Sequence, residues 1–163
     1  MEILASGVAW ILDPAHWTGP DGIPVRTIEH VGLSAVSLLL AALIAVPVGL
    51  YTGHTGRWGT TVMNVASLGR AVPSYALLLL FFTITRSLGG PTTIPTLVLL
   101  AIPPLLASVH VGVGEADRDV VEAGRGMGMR ERQVLRRVEI PLALPLILTG
   151  ARTAAVQVVA TAT

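Results

Sequence analysis

The side chains that could perform covalent or metal chemistry are few and scattered along the chain. The four histidines include no two at metal-ligand spacing on one helix, and there is no cysteine. No carboxylate pair, Ser–His arrangement or His-Glu-x-x-His motif lies within the apolar stretches. We therefore predict a protein that is not an enzyme, with no catalytic residue and no metal site.

Charged residues are concentrated between Glu115 and Glu139, in a segment that also contains Gly124, Gly126 and Gly128. Glycine-rich loops can bind phosphate, but here no strand precedes the glycines and no Gly-Lys-Ser/Thr follows them. The net charge of +1, without a charged tail, does not indicate a nucleic-acid partner. We therefore predict that this chain binds no nucleotide or other cofactor.

The composition is that of a membrane protein. The mean hydropathy is +0.71 and only 13% of the 163 residues are charged, far fewer than in an ordinary soluble domain. Aromatic residues contribute 4%, so the apolar content is mostly aliphatic, as suits helices that face lipid. The predicted fold class is an all-α, polytopic membrane helical bundle, with membrane lipid as a partner.

Four membrane spans are predicted from the apolar stretches. Pro73 should kink the second span, Pro103-Pro104 should bend or break the third, and the lipid-crossing part of the fourth should begin near Gly150. The spans are Val31–Thr52, Thr60–Thr85, Ile94–Val113 and a fourth within Pro141–Thr163.

Residues 1–29 are predicted to form an extracytoplasmic or interfacial segment, and residues 30–163 the transmembrane domain. Glu2 stands where a basic n-region would be expected, so no cleaved signal peptide is predicted. Arginines are biased to one side of the spans, which predicts that this side is cytoplasmic and the N-terminus outside, in a bacterial cell membrane. They are Arg57, Arg118, Arg125, Arg130, Arg132, Arg136 and Arg137, against Arg26 and Arg86.

The charged segment predicts a short helix, a glycine turn and a second, amphipathic helix. Asp119 and Glu122 have the spacing of a capping box, with Asp119 as the N-cap. Gly128 is placed to leave the first helix through a positive φ. The second helix should start at Met129 and be stopped by Pro141.

This segment resembles the EAA signature of permease subunits of ATP-binding-cassette importers. The matching residues are Glu122, Ala123, Gly128, Val138, Ile140 and Pro141, with Gly124 where the family usually has a second alanine. The resemblance implies that a loop at about 114–139 docks, through its coupling helix, on a separate ATPase subunit that uses the ATP. Small residues at Ala123 and Gly124 would permit close approach of that partner.

The rest of the chain is similar to a narrower family, the permeases for glycine betaine, choline and carnitine. The resemblance implies an osmoprotectant pathway, an extracytoplasmic solute-binding protein and a second permease subunit, identical or paralogous. Family members continue beyond the last residue here, so a C-terminally truncated permease fold is expected. The similar segments lie in 13–24, 47–49, 64–74 and 160–163.

Alternatives remain open at this point. The chain could serve another small solute, such as an amino acid or an oxyanion, or be an inactive truncated membrane fragment. Arg70, Pro73 and Arg152 interrupt apolar stretches and could line a pathway or an interface. The arginines could equally be structural, with aliphatic stems along apolar surface, and Pro73 could be a fixed kink.

Overall fold

The computed structural model describes residues 2–71, 73–87 and 89–162, except for the side chains of residues 2, 3, 5, 11 and 69–71. Within these ranges the chain is helical and contains no β-strand. A 3₁₀ turn, Pro14–His16, follows α1, and a π-helical turn, Leu135–Glu139, joins α7 to α8. The helices are α1 (Glu2–Leu12), α2 (Ile23–Thr55), α3 (Gly59–Ala71), α4 (Ser74–Thr85), α5 (Gly90–Gly114), α6 (Arg118–Gly126), α7 (Glu131–Val134) and α8 (Ile140–Thr161).

Three helical stretches are long and apolar enough to cross a membrane: Ile23–Thr55, Gly90–Gly114 and Glu131–Thr161. The shortest of them has 25 residues. At a rise of about 1.5 Å per residue it measures roughly 37 Å, more than the ~30 Å hydrocarbon layer. The predicted all-α membrane bundle is confirmed.

The predicted second span is two helices rather than one kinked helix. Pro73 has extended backbone angles (φ −62°, ψ 125°) and acts as the N-cap of α4. A proline at this point cannot donate the hydrogen bond that would continue a helix from α3. The 12 residues of α4 extend only about 18 Å, so this helix can cross the hydrocarbon layer only together with α3.

Of the bend or break predicted at Pro103-Pro104, the break is wrong, because α5 runs unbroken through both prolines. This helix lies at the centre of the bundle and packs against α2, α3, α4 and α8. Neighbouring helices supply packing that holds a helix together where proline removes a backbone hydrogen bond. Pro103 is itself buried among them.

The prediction that Pro141 stops the second amphipathic helix is wrong. The helix passes from α7 through the π turn into α8, and Pro141 occupies the first turn of α8. In the π turn the Ile140 N–H donates to the Leu135 carbonyl, five residues back. This wider turn lies just before the proline, whose ring would crowd the carbonyl four residues before it in a regular helix. The helix that contains the fourth predicted span therefore begins at Glu131, well before Gly150.

The core of the bundle is the contact between α2 and α5. The buried face of α2 consists of small residues, Ser34, Ser37, Ala41, Ala45, Gly49, Thr52 and Gly53. A Cβ atom on Gly49 would lie 2.7 Å from Val109 Cβ, and one on Gly53 would lie 2.7 Å from the His110 carbonyl oxygen. These glycines therefore allow the two helix backbones to approach closely, as small residues do in membrane helix pairs.

We expect Gly49→Leu to destabilise the bundle, because the new side chain would overlap Val109. Overpacking of this kind costs about 1–3 kcal/mol. Thermal unfolding of the purified protein in detergent should show a lower Tm for Gly49→Leu. Gly32→Leu is the matched control, since a Cβ at Gly32 on the same helix meets nothing within 4 Å. Equal Tm values for the two variants would contradict the close packing of α2 on α5.

Candidate functional site

The N-cap of the short helix α6 lies two residues earlier in the chain than predicted. Asp117 is the N-cap, and its carboxylate accepts a hydrogen bond from the Asp119 N–H at 3.0 Å. Asp119 instead lies in the first turn, where a carboxylate still favours the positive helix end. The sequence Asp117-Arg118-Asp119 offers two acids that could cap the helix, and the turn after α5 selects the first.

One face of α6 packs against the same chain and the other face is exposed. Val121 is buried with Ala116 and Val134 in a small apolar cluster. Gly124 also faces inward, where a Cβ would lie 3.5 Å from Met129 Sδ and 3.6 Å from Val138 Cγ2. Gly124 therefore brings α6 close to its own chain, and is not on the surface offered to a partner.

The exposed face of α6 carries both charges and a small residue. Glu122, Ala123 and Arg125 are all solvent-exposed, so a partner could approach the helix here. Basic side chains continue this surface on the following helix. They are Arg130, Arg132, Arg136 and Arg137, each exposed.

Gly128 makes the turn between α6 and α7 with a φ of +83°, in the left-handed region predicted for it. The Gly128 N–H donates to the Arg125 carbonyl at 2.9 Å, and the Met129 N–H donates to the Gly124 carbonyl at 3.2 Å. This pair of hydrogen bonds is a Schellman motif, which closes a helix on a residue that tolerates positive φ. The turn directs the chain back, so that Met129 covers Gly124.

The helix after this turn is capped by a side chain that sequence analysis did not identify. The side-chain carbonyl oxygen of Gln133 accepts a hydrogen bond from the Arg130 N–H at 2.8 Å. Val134 is fully buried beneath α6, and Val138 packs on the same cluster. Ile140 is half-buried and Pro141 exposed at the start of α8. The residues of the EAA pattern are thus placed in one α6–turn–α7–α8 unit.

A polar network that sequence analysis missed joins this unit to the end of α2. His54 Nδ1 lies 2.6 Å from Glu139 Oε2, and His54 Nε2 lies 3.4 Å from Glu131 Oε2. Glu131 in turn accepts two hydrogen bonds from Arg125, both at 3.0 Å. The only signal in the sequence was Glu139, an acidic residue between the apolar residues Val138 and Ile140.

The charge of Arg125 is held by this network. Its hydrogen bonds to Glu131, reinforced by the attraction between the two charges, raise the pKa of the guanidinium above its ordinary value. Arg125 thus places a hydrogen-bonded cation at the end of α6. Cations in this position also interact favourably with the negative end of a helix.

The remaining predicted residues lie away from this unit. Arg152 is exposed on α8, where it lines a hollow of about 470 Å³ together with Thr149, Thr153 and Gln157. Pro73 is exposed at the start of α4. The side chain of Arg70 lies outside the described part of the structure. Among the ion pairs between described residues, none involves Arg152.

Comparison with known proteins gives one family. Residues 45–163 match the family described as binding-protein-dependent transport system inner membrane component. The carnitine transport permease protein OpuCD of Listeria monocytogenes is 35% identical over 128 residues, which cover 78% of this chain and 57% of the relative.

Two further relatives come from other bacteria. The choline transport system permease protein OpuBB of Bacillus subtilis is 30% identical over 85% of this chain and 63% of its own length. The osmoprotectant import permease protein OsmW of Salmonella typhimurium is 36% identical over 80% of this chain and 62% of its own length. The chain thus spans 57–63% of the length of these three relatives.

Proposed function

Because the chain belongs to the family of binding-protein-dependent transport system inner membrane components, we propose that it is a permease subunit of an ATP-driven importer for osmoprotectants. Members of this family are transport components rather than enzymes. With three helices of spanning length, the chain is a multi-pass membrane protein. The names of its relatives, which refer to carnitine, choline and osmoprotectants, support the substrate class.

The observation that carries the coupling role is the two-sided packing of α6. Its inner face is joined to α7 and the π turn through Val121 and Gly124, whereas Glu122, Ala123 and Arg125 remain exposed. The exposed face docks on a separate ATPase subunit, which binds and hydrolyses the ATP. Displacement of α6 then tilts the continuous helix Glu131–Thr161 and changes which side of the membrane the pathway opens to.

The partners follow from this arrangement. The coupling unit lies on the cytoplasmic side and the N-terminus outside, as the distribution of arginines supports. A solute-binding protein delivers substrate from outside, and a second permease subunit, identical or paralogous, completes the pathway within the lipid bilayer. The substrate class is quaternary ammonium compounds of the glycine betaine, choline and carnitine type. With 4% aromatic residues in this chain, an aromatic cage for such cations belongs to the binding protein.

A second candidate substrate class is another small solute, such as an amino acid or an oxyanion. The EAA pattern supports coupling to an ATPase and is independent of what is transported. The osmoprotectant class is favoured by the names of the relatives.

Arg152 is assigned to the wall of the translocation pathway. It is exposed, twelve positions after Ile140, which places it about 18 Å along α8 and within the hydrocarbon depth. An exposed charge at that depth faces a water-filled cavity or another protein chain rather than lipid. Thr149, Thr153 and Gln157 extend a polar stripe along α8, which the apolar Val156 and Ala160 border in the same hollow.

The substrate assignment is tested by uptake of labelled glycine betaine in cells that express the complete transporter, with and without this subunit. We expect ATP-dependent uptake only when the subunit is present, because it forms part of the pathway. Choline and carnitine should compete with the labelled substrate, and proline serves as a chemically distinct competitor. Competition by an amino acid or oxyanion, without competition by quaternary ammonium compounds, would favour the second substrate class.

The coupling assignment is tested by Gly128→Val in the complete transporter. Valine at a φ of +83° is strained by about 1–2 kcal/mol, so the turn after α6 should be displaced and uptake should fall. Gly32→Val is the matched control, because Gly32 lies outside the coupling unit, a Cβ there meets nothing within 4 Å, and this glycine does not have a positive φ. Uptake at the unmodified rate by Gly128→Val, with the ATPase still co-purifying, would refute the coupling role.

The pathway assignment is tested by labelling single cysteines with a membrane-impermeant, charged thiol reagent. The chain contains no cysteine, so each variant carries one reactive site. Thr153→Cys should react about tenfold or more faster than Leu148→Cys, since a thiolate forms in water and not in lipid. Leu148 is an exposed apolar residue on the same helix. Equal, slow labelling of both variants would show that the stripe does not face water.

A further inference from the structure

We propose that His54 is a positioning residue that connects the end of α2 to the coupling unit, so that displacement of α6 is transmitted to α2 as well as to α8. This inference rests on the proposed transport function. It concerns a residue outside the EAA pattern and outside the α6–turn–α7–α8 unit.

The contact between His54 and Glu139 is the buried part of the connection. The Glu139 side chain is 6% exposed and that of His54 is 15% exposed, with 2.6 Å between Oε2 and Nδ1. A carboxylate removed from water is costly unless it is hydrogen-bonded or paired. His54 is thus the group that compensates the burial of Glu139.

The π turn is the feature that places Glu139 in this position. It inserts one residue more than an α-helical turn, and Glu139 is its last residue. The adjacent Arg136 and Arg137 remain exposed while Glu139 is buried. Turns of this kind inside α-helices often occur at functional sites. Here the extra residue directs one acidic side chain of the arginine-rich helix towards α2.

A second contact extends the connection from α2 to α6. His54 Nε2 lies 3.4 Å from Glu131, which also forms the two-bond pair with Arg125 at the end of α6. One imidazole ring thus contacts both carboxylates, Glu139 through Nδ1 and Glu131 through Nε2. Exposed ion pairs of the Arg125–Glu131 kind contribute little to stability. This pair instead fixes the position of α6 relative to the ring of His54, because Glu131 contacts both.

The end of α2 is in turn fixed to α5. Thr52 Oγ1 lies 3.0 Å from His110 Nδ1, and Gly53 lies close to the His110 carbonyl oxygen and the Val113 side chain. His54 therefore projects from a rigid pair of helices rather than from a loose helix end.

The space around His54 is not filled by apolar packing. A polar cavity of about 330 Å³ lies beside it, lined in part by Arg118, Glu122, Arg125 and Glu139. Where packing is incomplete, polar contacts are the connection between the two bodies. A displacement of α6 relative to α2 must then either carry His54 with it or separate His54 from its two carboxylates.

The experiment uses the complete transporter, with its ATPase and binding protein, in proteoliposomes. Uptake and ATP hydrolysis are measured in the same preparation, so that substrate transported per ATP is the readout. Coupling between two sites typically changes an affinity by about 5–150-fold. We expect His54→Phe to lower the amount of substrate transported per ATP by about fivefold or more. His54→Gln, which keeps a donor for Glu139, should restore part of it. His16→Gln is the control, because His16 faces Asp13 at the other end of the chain, 3.8 Å away.

Stability is measured on the same samples, since a purely structural role for His54 would lower Tm and leave the ratio unchanged. If His54→Phe fails to assemble, Glu131→Gln decides the matter, because Glu131 is 59% exposed and its loss leaves the buried pair intact. A normal ratio of uptake to hydrolysis in an assembled His54→Phe, or in Glu131→Gln when His54→Phe does not assemble, would overturn the inference.

Failure of this inference can be separated from failure of the proposed function. Absence of ATP-dependent uptake by the unmodified transporter, or normal uptake by Gly128→Val, would reject the transport or coupling role itself. Normal coupling in the His54 variants, with Gly128→Val impaired, would reject only the connection through α2.

Discussion

The closeness of α2 and α5 is the constraint on which the other contacts depend. Helices in lipid gain little from the hydrophobic effect when they associate, so they rely on intimate packing. Gly49 and Gly53 allow that packing at the end of α2, where any larger side chain would meet Val109, His110 or Val113. The same approach brings His54, the next residue, within reach of the segment that follows α5.

A second close contact repeats this logic on the other side of α5. Gly150 of α8 lies against Ser108, and Gly112 of α5 lies against Ala143 of α8. The central helix α5 is therefore closely packed on two sides through glycine contacts. It contains prolines that would break an isolated helix. Lateral packing supports α5 at the positions where its prolines remove backbone hydrogen bonds.

The class of fold and the main features of the coupling segment could be predicted from sequence because they depend on local residue types. Apolar stretches of sufficient length give membrane helices, and Gly128 is a glycine at the point where a helix must reverse. The errors arose wherever tertiary contacts decide. Pro103-Pro104 and Pro141 do not end their helices because neighbours and a π turn accommodate them. The N-cap moved from Asp119 to Asp117 because two acids of similar capping strength lie two positions apart. The His54–Glu139 pair joins residues 85 positions apart, and no local pattern can reveal such a contact.

The π turn also sets how the side chains of α8 are rotated about the helix axis relative to those of α7. Each residue of an α-helix advances the direction of its side chain by about 100°. Removing one residue from Leu135–Glu139 would leave a continuous helix, but everything after it would be rotated by about that angle relative to α6. Arg152 would then take the direction that the half-buried Ala151 has now, so that a charge would be turned towards the apolar core. The single additional residue thus sets the rotation of α8 about its own axis. With this rotation, one helix presents the correct face both to the coupling unit and to the membrane interior.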